Sequence, residues 1–258
     1  MRNIALRIAY DGTEFIGSQL QQMGRSVQGA LEDSWEQLTQ ERRRFTLAGR
    51  TDTGVHAHGQ VANVRSETGR SLQTILRGLN AIVPEDIAVL DVREVGLDFH
   101  ARHSATRRSY RYLIDNAPVG LPTLRNITLH IEQPLDMELM SAALTKLEGQ
   151  HDFAAFGVQS DEQKSTVRYV YTTVCSRVEL YGRQVIAIDI IANAFLHHMV
   201  RSIVGTVLVV GRGKMTVEGF EKVLKGRDRS ATGRTAAAQG LTLVEVFYPP
   251  HLLTWSGT

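Results

Sequence analysis

Ile4, Leu6, Ile8 and Tyr10 alternate with Ala5, Arg7 and Ala9, the period of a strand with one buried face. Asp11-Gly12-Thr13 closes it with turn residues. The period then changes. Ser26 stands as an N-cap before Val27, Ala30, Leu31, Ser34, Trp35 and Leu38, which share one face of a helix. Strand-like runs at 45–48 and 60–64 flank a glycine-bearing stretch. Ser71 caps a second helix with Leu72, Ile75, Leu76 and Leu79 inward; Pro84 ends the next connection, and residues 87–95 return as a strand.

Residues 96–106 are polar and basic, and we take them as the crossing into a second unit. Tyr110, Tyr112 and Ile114 alternate as a strand. Asp136 caps a helix through Met137, Met140, Leu144 and Leu147, ended by Gly149. Strands at 168–178 and 184–192, a long helix at 195–210, a shorter one at 217–224 and a strand at 241–248 complete the pattern. Each half has the order β-α-β-β-α-β, which predicts an α+β fold with helices on one face of an antiparallel sheet. The expected organisation is 1–105, 106–250 and a tail at 251–258. No residue-level repeat relates the halves.

Composition changes this picture little. With 258 residues, 43% hydrophobic and 22% charged, the chain can bury a full core. A single cysteine, Cys175, excludes an internal disulfide framework and fits a reducing compartment. The apolar stretch 199–210 contains Arg201 and is too short for a bilayer, so no membrane is expected and the location is cytoplasmic. Net charge is only +2, but arginines cluster at 42–44, 102–111 and 212–234, a distribution compatible with a phosphate-tracking surface.

The candidate chemistry centres on Ala48-Gly49-Arg50-Thr51-Asp52-Thr53-Gly54-Val55-His56-Ala57-His58-Gly59-Gln60. One carboxylate sits in a glycine-dependent turn, with Arg50 two residues before it. An Asx turn is the ordinary account of such an aspartate. Gly49 and Gly54 have phosphate-loop spacing, but Val55-His56 stands where Lys-Ser/Thr is required. His56 and His58, two apart on a strand, would share a face and could form half of a metal site; ordinary strand histidines are the competing account.

Gly49-Arg50-Thr51-Asp52-x-Gly54-Val55-His56-Ala57 resembles the signature of the tRNA pseudouridine synthase I (TruA) family. Three further blocks match in order: Tyr10-Asp11-Gly12-Thr13, Asp98-Phe99-His100-Ala101-Arg102 through Tyr110-Arg111-Tyr112, and Asn193-Ala194-Phe195-Leu196-His197-His198-Met199-Val200-Arg201. The resemblance implies the pseudouridine synthase fold, two ferredoxin-like halves forming an extended, mainly antiparallel sheet with a central catalytic cleft. It implies isomerisation of uridine at positions 38, 39 or 40 of the tRNA anticodon stem-loop, without cofactor or metal, by a homodimer. Asp52 matches the catalytic aspartate, Tyr110 the active-site tyrosine and Arg201 the basic residue of the long helix. An Asp52–Arg201 ion pair is expected, since an ionised carboxylate in a partly dry pocket needs a positive partner. Arg50, His56, Arg102, Arg111, Asn193, Phe195 and His197 are the expected substrate contacts.

The chain departs from the family pattern at Ser18, Ser109 and Ser202, where Trp, Arg and Asn are usual. These positions bear on RNA docking and so on which uridines are accepted. Two rivals stand beside this reading: a non-catalytic RNA-binding paralogue, and a metal-dependent hydrolase using His56, His58 and Asp52.

Overall fold

The computed structural model of the chain describes residues 1–158 and 165–255. Backbone contacts divide it into two compact units, Met1–Arg107 with Leu243–Thr258, and Arg108–Thr242.

The first unit has the expected order. β1 (Arg2–Tyr10), α1 (Val27–Thr39), β2 (Thr46–Leu47), β3 (His56–Ser66), α2 (Leu72–Asn80) and β4 (Ile87–Val95) follow one another. β1 is central, antiparallel to β3 and to β4, and β2 pairs antiparallel with β3. The capping serines act as predicted. Ser26 Oγ accepts from Gly29 N–H at 3.2 Å and Ser71 Oγ from Thr74 N–H at 3.1 Å, satisfying donors the first helical turn leaves open. Leu31 and Trp35 of α1 and Ile75 and Leu79 of α2 are fully buried. Each such side chain contributes roughly 1.5–3 kcal/mol of transfer free energy. Trp35 meets Phe45 edge-on at 5.6 Å, which seats the chain entering β2 against the helix.

β3 begins at His56, four residues earlier than the apolar run at 60–64 suggested. The register explains why. Tyr10 faces Ala57 while Ile8 faces Gln60, so β3 carries a bulge there. The one extra residue breaks the inside–outside alternation, and His56 is buried while His58 is exposed. The two histidines do not share a face as their spacing implied.

In the second unit, β5 (Arg107–Asp115), β6 (Leu129–His130), α3 (Met137–Thr145), β7 (Gly149–Asp152), β8 (Val167–Leu180), β9 (Arg183–Ala192), α4 (Met199–Gly211) and α5 (Val217–Gly226) follow, and β10 (Leu241–Phe247) belongs to the first unit from Leu243 on. The sheet order is β5-β9-β8-β7, antiparallel at every step, with β6 added parallel to β5. β8 and β9 form a hairpin through Tyr181 and Gly182, both at positive φ (49° and 74°), as a two-residue turn of this hand requires. Asp136 caps α3, accepting from Leu139 N–H at 3.0 Å. α3 ends at Thr145, and Gly149, at φ 95°, opens β7 instead of closing the helix. β6 and β7 are too short and polar to show a period.

α4 is apolar nearly all round, the mark of a helix covered on several sides. It starts at Met199, not at Phe195. His198 stands before it in the left-handed region (φ 63°), and Val158 N–H donates to His197 C=O at 3.1 Å, so residues 193–198 form a loop. Leu253 and Trp255, in the stretch expected to be a tail, are buried. No helix among the described residues is long and apolar enough to cross a membrane.

Candidate active site

Within the first unit, Asp52 sits half-buried in a loop fixed from three directions. Gln60 is fully buried on β3. Its Nε2 donates to Gly49 C=O at 2.8 Å and its Oε1 accepts from Gly49 N–H at 3.3 Å, so one amide replaces a strand partner at the loop's entry. Tyr10 Oη and Thr51 Oγ1 share a hydrogen bond of 2.8 Å. Burial pushes the Tyr10 phenol up to about 12, against the opposing hydrogen bonds of Thr51, Gln60 and Ser18, so it keeps its proton at neutral pH. On the third side Ser18 holds Thr51, and Gly17 pairs with Asp52 as an antiparallel bridge. Gly54, at φ 77°, provides the left-handed turn after Asp52 that a Cβ would strain.

His56 does not project from the loop. Its Nδ1 accepts the Gly12 N–H at 3.0 Å. An Asp11 oxygen 3.2 Å from the same nitrogen becomes an ion-pair partner only when the ring is protonated. Burial raises the Asp11 carboxyl, but hydrogen bonds from the Thr13 hydroxyl and N–H, together with His56, outweigh it and hold Asp11 below the usual range. Gly12 itself is required here, since a Cβ would fall 2.0 Å from Val55 C=O.

Beside the loop lies a cleft of about 660 Å³, lined by Arg44, Arg50, Arg102, His100, His103 and the glutamines near Gln22. Arg50 is exposed and Arg102 half-buried. His100 and His103 stack at 4.2 Å. Burial, then the charges of His103, Arg102 and Arg65, holds the His100 ring below the usual imidazole value. Leu20, Phe45 and Leu47 make much of the wall apolar, and the arginines and glutamines set hydrogen-bond donors along it. The arginine run at its edge is partly neutralised: Arg43 meets Glu41 at 3.0 Å and Arg44 meets Glu32 at 3.2 Å.

The second unit holds the other expected residues. Tyr110, on β5, is buried and meets Phe195 edge-on at 5.0 Å. Arg201, in the first turn of α4, is half-buried; its Nε donates to Ala236 C=O at 2.8 Å and its own C=O accepts from Ala236 N–H at 3.0 Å. A backbone strap at 233–236 therefore fixes the guanidinium stem, and α4 admits that strap only through Gly205, where a Cβ would lie 2.0 Å from Arg234 C=O. Neighbouring Tyr112 donates to Ala237 C=O at 2.8 Å; burial moves its phenol far up, with Arg201 pulling the other way.

Three expected contacts already have structural partners. Arg111 forms a bidentate pair with Asp189, its cross-strand neighbour, at 2.7 and 2.9 Å, and that bond raises its pKa. Asn193 Oδ1 accepts from Tyr169 N–H and Ala194 N–H, and its C=O takes Arg108 Nη1 at 2.8 Å. His197 is exposed and stacks on His198 at 3.8 Å, both ahead of α4. Sequence reasoning missed Gln60 and Ser18 as scaffold. A lone glutamine within the apolar run at 60–64 was the available signal for the first; Ser18 stood out only as a departure.

The model of a family described as tRNA pseudouridine synthase matches residues 7–104 and 143–249. The chain belongs to that family, whose members are isomerases. It is 58% identical over 255 residues to the tRNA pseudouridine synthase A of Chloroflexus aurantiacus (strain ATCC 29366 / DSM 635 / J-10-fl), covering 99% of this chain and 92% of that one. It is 53% identical over 249 residues to the protein of the same name from Roseiflexus sp. (strain RS-1), with 96% and 92% covered. The Thermoanaerobacter sp. (strain X514) protein, also a tRNA pseudouridine synthase A, is 41% identical over 248 residues, with 96% and 100% covered.

Proposed function

We propose that the chain converts uridine to pseudouridine in the anticodon stem-loop of tRNA, at positions 38, 39 or 40. The N1–C1′ bond breaks, the base turns, a C5–C1′ bond forms, the C5 proton leaves and N1 takes up a proton. Oxidation state is unchanged at the end, so the reaction as proposed uses no redox cofactor. Asp52 supplies the carboxylate: it takes the 2′ proton as the N1–C1′ bond breaks to leave a glycal, and gives it back to C2′ as the C5–C1′ bond forms. Tyr110 stacks on the flipped base, and Arg201 is the cation that keeps Asp52 ionised. Arg50 fills the space the base leaves or holds its phosphate.

The observation that carries this reading is the aspartate on a loop fixed by buried hydrogen bonds beside a cationic, donor-rich cleft. Fixing a carboxylate while leaving it accessible suits positioned covalent or acid–base chemistry, and the arginines suit a phosphate backbone. Arg102, Arg111, His56, Asn193, Phe195 and His197 complete the proposed substrate surface, with His56 and Asn193 acting through the loops they hold. The working form is a cytoplasmic homodimer in which one tRNA touches both subunits.

Tritium release from C5-labelled uridine in tRNA transcripts tests the proposal. Release by the wild type, with none from an Asp52→Ala variant that still binds tRNA, is expected. Undiminished release by Asp52→Ala would overturn the assignment of the carboxylate.

A further inference from the structure

We propose that Ser18 is a positioning residue for Asp52, acting through Thr51; the proposal rests on Asp52 being the catalytic carboxylate. Ser18 is 1% exposed. Its Oγ accepts the Thr51 N–H at 2.8 Å and its own N–H donates to the Thr51 C=O at 3.1 Å. Both backbone groups of the residue preceding Asp52 are therefore taken by one side chain and its backbone. The pairing continues along the loop: Gly17 bridges Asp52, and Thr53 Oγ1 donates to Ile16 C=O at 2.9 Å.

Residues 16–18 are themselves rooted in the first turn of α1. Gln28 N–H donates to Ser18 C=O at 2.9 Å and Val27 N–H to Gly17 C=O at 3.4 Å. A helix packed on the sheet thus sets the height of the aspartate loop, and Ser18 and Thr53 supply the side-chain links between them. The Thr51 amide needs an acceptor at the γ position. Tryptophan, usual here in the family pattern, offers only an indole donor, so this link belongs to a serine-bearing chain. The departure from the family pattern at Ser18 is part of the loop's support.

The test compares Ser18→Ala and Ser18→Thr with Ser66→Ala in the full-length protein. Ser66 is a second fully buried serine of the same unit, whose Oγ accepts the Thr68 N–H at 3.0 Å and donates to Glu41. Ser18→Ala should lower the single-turnover rate at saturating enzyme roughly tenfold while tRNA affinity changes by less than about twofold, because misplacement costs rate more than binding. Ser18→Thr, which keeps Oγ, should recover most of the rate. Ser66→Ala should lose thermal stability without losing rate. Hydrogen exchange at the Thr51 amide should be slow in the wild type and faster in Ser18→Ala. Wild-type rate in Ser18→Ala, an equal rate loss in Ser66→Ala, or fast exchange at Thr51 in the wild type would each overturn the proposal. The exchange measurement needs no variant and decides the matter should Ser18→Ala not fold. Activity surviving in Asp52→Ala would instead sink the catalytic reading; an inactive Asp52→Ala beside an unimpaired Ser18→Ala would sink this inference alone.

Discussion

Replacing Gln60 by methionine keeps the length and approximate volume of the side chain and removes only its amide. Gly49 then loses the partner of its C=O (2.8 Å) and of its N–H (3.3 Å) together. A buried polar group left without a partner costs about 1–3 kcal/mol, and Gly49 is half-buried, so water recovers part of the loss at each group. The net is about 1–3 kcal/mol for the pair, against which the buried thioether sets little. For a chain of this size that is a melting-temperature drop of roughly 2–12 °C. The rate should fall further than stability explains, by about tenfold at a temperature where the variant is folded, because the entry of the Asp52 loop is no longer held. Gln60→Glu is the sharper arm. It puts a carboxylate oxygen where Nε2 met the Gly49 C=O, so acceptor faces acceptor and the damage should exceed that of methionine. Calorimetry and single-turnover tritium release measure both quantities. A methionine variant unchanged in both would refute the account of the loop. A glutamate variant better than methionine would refute the account in which the Gly49 C=O is held by a side-chain donor.

Gly205→Ala should destabilise the protein by roughly 1–3 kcal/mol despite alanine's better helix propensity, since its Cβ would stand 2.0 Å from Arg234 C=O; a raised melting temperature would show the strap at 233–236 to be freely displaceable. Glu41 provides a pH test. Burial raises its carboxyl, but hydrogen bonds from Ser66, Arg43 and the Glu67 N–H outweigh it, leaving the folded pKa below the ordinary 4.5. Its stabilisation is therefore fully present above about pH 4.5 and is lost as pH falls through the folded value. Thermal melts should show a shallower acid fall in Glu41→Gln than in the wild type, and identical slopes would contradict the shift.

Much of the first unit was legible because its elements are locally specified. Serine caps at Ser26 and Ser71, a period-two strand in β1 and helical stripes in α1 and α2 need no distant information. The Asp52 stretch was also legible, since two glycines and a charged turn between strands form a short-range pattern. The start of α4 was not. Residues 195–198 carry helix-compatible side chains, yet Val158 pairs with His197 and His198 adopts a left-handed conformation, both set by packing far along the chain. The bulge that separates His56 from His58 was equally invisible, because register is decided by the partner strand β1 and not by the residues of β3.

Chemistry divides in the same way. The sequence by itself determined which groups are available: one carboxylate in a tight loop, the arginines, a tyrosine on a strand and an arginine in an apolar helix. Only the tertiary structure decided how they are held. It placed the Gln60 amide against Gly49, closed Ser18 over Thr51, seated Arg201 on Ala236 and gave Arg111 to Asp189. Each of these is a hydrogen bond between residues 11 to 78 positions apart. Local preference fixes dihedral angles and caps over a turn or two, whereas the partner of a buried polar group is chosen by whichever donor or acceptor the packed core leaves within reach.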